Sequence, residues 1–225
     1  MDVNDVIALS SGQEVWMMRR ESIASGHLCD SVNSGPATPS FQPSVLLALA
    51  GYTKSLKSTL AHDLSQRFGF LHIELSDALV QHINEASIPV TLENLVEAAG
   101  QLRAAQGIDI LARLASCRID QSRCPRVVIA GLRSYPDHTF LKSHFTNYAV
   151  VFIHSPALVR YERLRKDKSV TVKTDEAFQA LDRHHEMEGI ALVAEDSDFV
   201  LVDDNSFPVP IQAQLINFVS RKLLH

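Results

Sequence analysis

The residues best suited to chemistry form one run, Gly51-Tyr52-Thr53-Lys54-Ser55-Leu56-Lys57-Ser58-Thr59. It nearly repeats the phosphate-binding pattern G-x-x-x-x-G-K-[ST], in which backbone N–H groups and a lysine hold phosphate and a hydroxyl holds Mg²⁺. Gly51, Lys57 and Ser58 fall in register, and Leu56 stands where the pattern has its second glycine. In this pattern Lys57 sets a point charge on the β- and γ-phosphates and Ser58 ligates the metal. Gly51, Lys54, Ser55, Lys57, Ser58 and Thr59 are therefore the candidate cofactor-binding set. Leu56 matters through its backbone. Such loops use positive φ, which glycine allows, and a leucine held there costs about 1–2 kcal/mol, or roughly tenfold in binding. Two outcomes follow: a strained loop with an isobutyl group near the phosphate space, or a relaxed loop that no longer cradles an anion. Lys54 is either an additional cation for the ligand or a solvated loop lysine.

The flanks suit that chemistry. The apolar run Val45–Ala50 reads as a buried strand and Ser58–Phe68 as a helix, an order that aims N–H groups and a helix N-terminus at a phosphate. Strand and helix patterns then alternate. Strands are expected at Leu71–Leu75, Arg126–Ala130, Tyr148–His154 and Phe199–Val202. Helices are expected at Asp77–Glu85, across Leu92–Ile119, and at Asp137–His144, Ala157–Lys166, Asp175–Ile190 and Pro210–Lys222. Five short apolar strands separated by helices predict an α/β fold, a parallel sheet covered on both faces in three α/β/α layers. Ligands of such sheets bind beyond the carboxyl ends of the strands. Gly51–Ser58, Glu74–Asp77, Gly131–Arg133, His154 and Asn205 lie there. Residues 1–43 read as a tail and linker and 44–225 as the folded domain. The segment around Val15-Trp16-Met17-Met18 fits a short amphipathic helix or an unstructured tail, and 29–43 is a linker by composition.

Composition narrows the function classes. The 225 residues are 46% hydrophobic with a formal net charge of -5, enough apolar material for a core and the wrong sign for general nucleic-acid binding. Cys29, Cys117 and Cys124 lack metal-ligand spacing and read as free thiols. No apolar run approaches a membrane span, and Met-Asp-Val-Asn-Asp lacks a signal-peptide core, so the expected compartment is the cytoplasm. His184-His185-Glu186 resembles a metal pair, but adjacent helical residues diverge, and both histidines read as surface residues.

From about Val45 to Val219 the chain resembles the P-loop nucleoside-monophosphate and dephospho-CoA kinase-like group, especially its small archaeal and bacterial nucleotide kinases. The likeness runs through motifs in order: Gly51–Thr59; Leu75-Ser76-Asp77; Thr91-x-Glu93-Asn94-Leu95; Leu102-Arg103-x-x-x-Gly107-x-x-x-Leu111-Ala112; Val127-Val128-Ile129-Ala130-Gly131-Leu132-Arg133 with Asp137; Arg160-x-x-Arg163-x-Arg165; Phe178-x-x-x-Asp182-x-x-x-Glu186; and Asn205-Ser206. The resemblance implies the strand order 2-3-1-4-5 and ATP with Mg²⁺ as cofactors. It implies Asn205 near the adenine, Arg160, Arg163 and Arg165 in a cationic lid, and Arg133 at a phosphate. Asp77 is implied to orient or deprotonate an acceptor hydroxyl, although a cap on the next helix explains it equally well. The departures are Leu56 and Lys54 for glycines, Ala130 for the acid ending the third strand, and Val80 near the acceptor-phosphate arginine. Ala130 cannot support Mg²⁺, and Asp77 or Asp137 would have to replace that acid.

Two functions fit. The departures favour a pseudokinase that holds a nucleotide or a phosphorylated small molecule and acts through a protein partner or as a homodimer, with the segment around Trp16 docking it. The alternative is an active ATP-dependent kinase of a nucleotide or CoA-precursor-like acceptor, carried by Lys57, Asp77, Arg133, Arg163 and Arg165. A guanine-specific N-K-x-D motif is absent, which disfavours a GTPase.

Overall fold

A computed structural model describes residues 40–167, 170, 173–203 and 210–223. The segment around Trp16, Asn205 and most of the linker lie outside these residues. The sheet has strands β1 (Val45–Ala50), β2 (Leu71–Glu74), β3 (Arg126–Leu132), β4 (Tyr148–His154) and β5 (Phe199–Val202). All pairings are parallel, in the order β2-β3-β1-β4-β5. This is the implied order. β1 is central because every residue in it is buried, as a strand covered on both faces requires.

The helices are α1 (Lys57–Phe68), α2 (Asp77–Glu85), α3 (Leu92–Gln106), α4 (Ile110–Ser122), α5 (Tyr135–His144), α6 (Ala157–Lys166), α7 (Asp175–Met187), α8 (Ile190–Glu195) and α9 (Ile211–Lys222). On one face Leu47, Leu49, Val128, Ala130, Val151 and Ile153 pack against Leu60 and Leu64 of α1 and Leu215 and Val219 of α9. The alternate residues Leu46, Ala48, Val127, Ile129 and Val150 are also buried, on the other face. Side chains cap several helices: Thr91 accepts from Asn94 N–H before α3, Ser134 from Asp137 N–H before α5, and Thr174 from Ala177 N–H before α7. Gly69, at φ 68°, ends α1.

Two helical runs break where the periodicity continues. The stretch expected over Leu92–Ile119 divides at Gly107, and the one over Asp175–Ile190 stops at Met187, with Gly189 at φ 85° opening α8. A Cβ at Gly189 would sit 2.9 Å from Tyr135 Cβ, so the chain turns closely against α5 there.

Asp137 ties three helices together. Its buried carboxylate accepts from Ala112 N–H at 3.1 Å and from Arg103 at 3.2 Å. Burial raises its pKa, against the pull of Arg103. Asp137→Ala strands a buried N–H and half of the Arg103 charge, and a loss of about 3 kcal/mol is expected by urea unfolding at pH 7. Asp137→Asn, which keeps the bond from Ala112, should lose clearly less.

Candidate phosphate-binding site

The loop leaves β1 at Gly51, whose N–H donates to Leu132 carbonyl. Here glycine is a steric requirement. φ is 140°, and a Cβ would meet Ile153 carbonyl oxygen at 2.6 Å and Ser55 Oγ at 2.8 Å. Beyond it, Lys54 and Leu56 both hold left-handed backbone, at φ 66° and 67°. The two positions where glycine is missing thus keep the conformation glycine would supply. Leu56 is half-buried and packs against the α1-side core. Its isobutyl group turns inward, and that packing offsets part of the strain. Leu56 also precedes α1 without any side-chain cap.

Lys57 is buried, and its Nζ donates to Tyr52 carbonyl at 2.6 Å and to Ser55 Oγ at 3.2 Å. Burial lowers its pKa well below the usual lysine range, and the Arg133 charge adds to the effect while Glu74 opposes it. Ser58 and Thr59 are exposed at the head of α1. Ser58 lies near Glu74, the last residue of β2, whose carboxylate meets His72 Nε2 at 3.0 Å. Although burial opposes it, His72 and the nearby Ser58 hydroxyl hold the Glu74 pKa below the ordinary glutamate value. The β1–β3 register shifts between Leu49 and Ala50, because Gly131 at φ 87° forms a bulge in β3. The bulge redirects the chain toward Arg133, which is half-buried, with its Nε buried and lacking a hydrogen bond. Arg133 interacts with Glu74 and Glu188, and burial lowers its pKa.

The lid arginines divide. Arg160 is buried in a two-point ion pair with Asp182, at 2.8 and 2.6 Å, and its guanidinium lies over Tyr52 and Phe178. Arg163 donates to Asp203 at 2.6 Å and to Lys54 carbonyl at 3.2 Å, so it touches the loop directly. Arg165 is exposed. Lys54 is ion-paired with Asp167, rather than being the solvated residue its loop position suggests. Asp77 begins α2, half-exposed, and is ion-paired with Arg118 of α4. Asp137 is occupied within the helix network described above.

The surface assignment needs correction at His185. His184 is partly exposed, whereas His185 is buried and its Nε2 lies 2.9 Å from Thr53 Oγ1 in the loop. Phe178, Leu181 and His185 form the buried face of α7. That i, i+3, i+7 spacing marks position 185 as inward-facing. Glu74 was legible only as a position at a strand end. The structure places it opposite Ala130 on β3.

Among the described residues no cluster of three or more His, Cys, Asp or Glu could itself hold a metal. Cys117 and Cys124 are not in a disulfide. No helix among the described residues is long and apolar enough to cross a membrane. A surface depression lined by Phe68, Gly69, Pro125 and Arg126 lies at the amino ends of β1 and β3, at the wrong end of the sheet for the loop.

Two measurements check this geometry. Leu56→Ala keeps the strain and loses packing, costing about 1–2 kcal/mol, whereas Leu56→Gly should be about 1 kcal/mol more stable than the alanine variant. Urea midpoints decide the order. Burial pushes the His185 imidazole from 6.5 down to about 4, with the Arg133 and Lys57 charges adding to it and Glu188 opposing. Between those values the unfolded chain takes up a proton that the folded chain rejects. Stability is therefore full above about pH 6.5 and falls, by up to about 3 kcal/mol, as pH drops toward 4. His185→Asn should show a correspondingly smaller loss over the same range.

No family model matches the chain. The UPF0200 protein of Methanoculleus marisnigri is 28% identical over 173 residues, covering 75% of this chain and 92% of that protein. The UPF0200 protein of Pyrococcus horikoshii is 30% identical over 168 residues, covering 72% of this chain and 90% of that protein. Among solved structures, TT1252 from Thermus thermophilus matches with a TM-score of 0.56 and 18% identity, covering 81% of this chain and 98% of that one. Shikimate kinase from Bacteroides thetaiotaomicron matches with a TM-score of 0.52 and 17% identity, covering 78% and 97%. At these identities the structural likeness establishes the fold, a P-loop kinase-like α/β architecture. With the sequence relatives it places the chain by descent: it belongs to the UPF0200 family.

Proposed function

We propose that this chain is a kinase-like nucleotide-binding module, a pseudokinase that takes a nucleotide or phosphorylated small molecule at Gly51–Thr59 and transfers phosphate weakly or not at all. The observation that carries the reading is the left-handed backbone at Lys54 and Leu56. Strain of this kind persists where surrounding structure over-determines it and concentrates at ligand clamps. The loop therefore keeps the shape of a phosphate cradle although its sequence no longer favours that shape. Weak transfer follows from the surroundings. Arg160 and Arg163 are neutralised by Asp182 and Asp203. A transferring phosphoryl group needs such cations available. ATP with Mg²⁺ is the proposed cofactor pair, with Ser58 as its metal-ligating hydroxyl. A protein partner or a second copy would then read the bound state.

The second reading is an active ATP-dependent phosphotransferase on a nucleotide or CoA-precursor-like acceptor. Its support is Glu74 beside Ser58, with Arg133 nearby. Wild-type turnover separates the two. ATP with Mg²⁺ should raise Tm, and Lys57→Met should abolish that rise while leaving the unliganded protein folded by circular dichroism. Phosphate release should stay far below the roughly 1–100 s⁻¹ of working kinases. A rate in that range with any nucleotide or CoA-precursor acceptor overturns the pseudokinase reading. A Tm rise that survives Lys57→Met places the ligand elsewhere.

A further inference from the structure

We propose that Glu74 supplies the metal-supporting carboxylate that position 130 has lost, so that Mg²⁺ on a bound nucleotide would be held between Glu74 and Ser58. This rests on the loop being a phosphate site and names the metal partner within it.

The register carries the inference. β2 pairs with β3 so that Glu74 lies directly opposite Ala130. Residues opposite each other in a sheet share a face. Ala130 packs on the face that carries α1, and Glu74, opposite it, comes near Ser58 at the head of α1 from the same face. Neighbouring strands run about 4.8 Å apart. The carboxylate has therefore moved one strand sideways without leaving the mouth of the sheet.

The donors fit the metal. Mg²⁺ takes hard oxygen ligands, keeps several waters, and is held by one or two carboxylates together with substrate phosphates. Glu74 and the exposed Ser58 hydroxyl are such a pair. There is also room. A Cβ on Gly131 would lie 3.4 Å from Glu74 Oε2, so the glycine leaves that oxygen uncovered while His72 engages Oε1. The other nearby carboxylates are committed elsewhere. Asp77, Asp137, Asp167, Asp182 and Asp203 are each bound by an arginine or lysine. Glu74 feels the charges of Arg133 and Lys57, but among the described residues its ion-pair contact is the His72 imidazole, with no direct pair to an arginine or lysine.

Calorimetric titration of ADP into the full chain, with and without Mg²⁺, tests the assignment. Mg²⁺ should tighten binding to the wild type about tenfold or more. Glu74→Gln, which keeps side-chain length, should cut that gain to about twofold or less, the gain being read as the ratio of metal-bound to metal-free affinity of the same variant. Adding Ala130→Asp to Glu74→Gln should restore the gain. A readout that needs no variant is Mn²⁺ with ADP on the wild type, which should broaden the amide NMR signals of Ser58 and Glu74 more than those of Asp77 or Asp203. An undiminished metal effect in Glu74→Gln, or broadening centred on Asp77 or Asp203, overturns the proposal. ADP binding indifferent to Mg²⁺ in the wild type also overturns it, and leaves the phosphate site standing. No ADP binding with or without metal overturns the phosphate-site reading and this assignment with it.

Discussion

The close approach of Gly51 to the end of β4 is the contact on which the site depends. With Ile153 carbonyl and Ser55 Oγ where a side chain would begin, the chain can leave β1 only through a glycine. That exit fixes the direction of the next residues, and the direction brings α1 back across the sheet with Leu60 and Leu64 facing the core. Once both ends are fixed, the residues between have little freedom. Lys54 and Leu56 are held at positive φ by the frame, and not by their own preferences. A loop free to follow local propensity would shed strain of about 1–2 kcal/mol at each position. The burial of Leu56 against the α1-side core shows what opposes that relaxation.

A second constraint comes from charge. Lys57, Arg133, Arg160 and Arg163 converge around the loop, and burial of like charges is expensive unless each finds a partner. The chain answers with carboxylates from several elements: Glu74 from β2, Asp182 and Glu188 from α7 and its end, and Asp203 after β5. Arg160 and Arg163 also contact the carbonyls of Thr53 and Lys54. His185 closes the arrangement on Thr53 from the buried face of α7. The helices that carry the lid residues are thus bonded to the loop itself. Any anion entering the site changes the charge balance of α6 and α7 together with that of the loop.

The fold was legible because its signals are local and redundant. Continuous burial marks β1, period and caps mark the helices, and the motif order implied the strand order that the sheet shows. The breaks at Gly107 and Gly189 were missed because a single glycine within an apolar period is a weak stop until a close neighbour such as Tyr135 requires it. Gly51, Lys57 and Ser58 were legible as members of one loop, because their spacing follows the pattern G-x-x-x-x-G-K-[ST]. His185 was misplaced because adjacency to His184 and Glu186 drew attention from its own helical face. Glu74 could not be assigned from spacing. Its meaning depends on which residue lies beside it on another strand, and pairing between residues 56 positions apart leaves no local trace.

This last point bears on how loss is read in such folds. Ala130 taken alone says that the acid is gone. In a parallel sheet, however, the ends of neighbouring strands open onto one mouth, and a function needing one carboxylate there can be met from either strand if the face is the same. Opposite positions always share a face, so a change from acid to alanine on β3 and an acid at the matching position on β2 conserve the charge at the mouth. With Glu74 in that role, a position-by-position comparison would score a defect where the geometry retains a carboxylate. Arg133 reaches the same mouth through the Gly131 bulge, which also leaves room for Glu74. The glycine at 131 and the carboxylate of Glu74 are thus parts of one arrangement, held in place by the β2–β3 register.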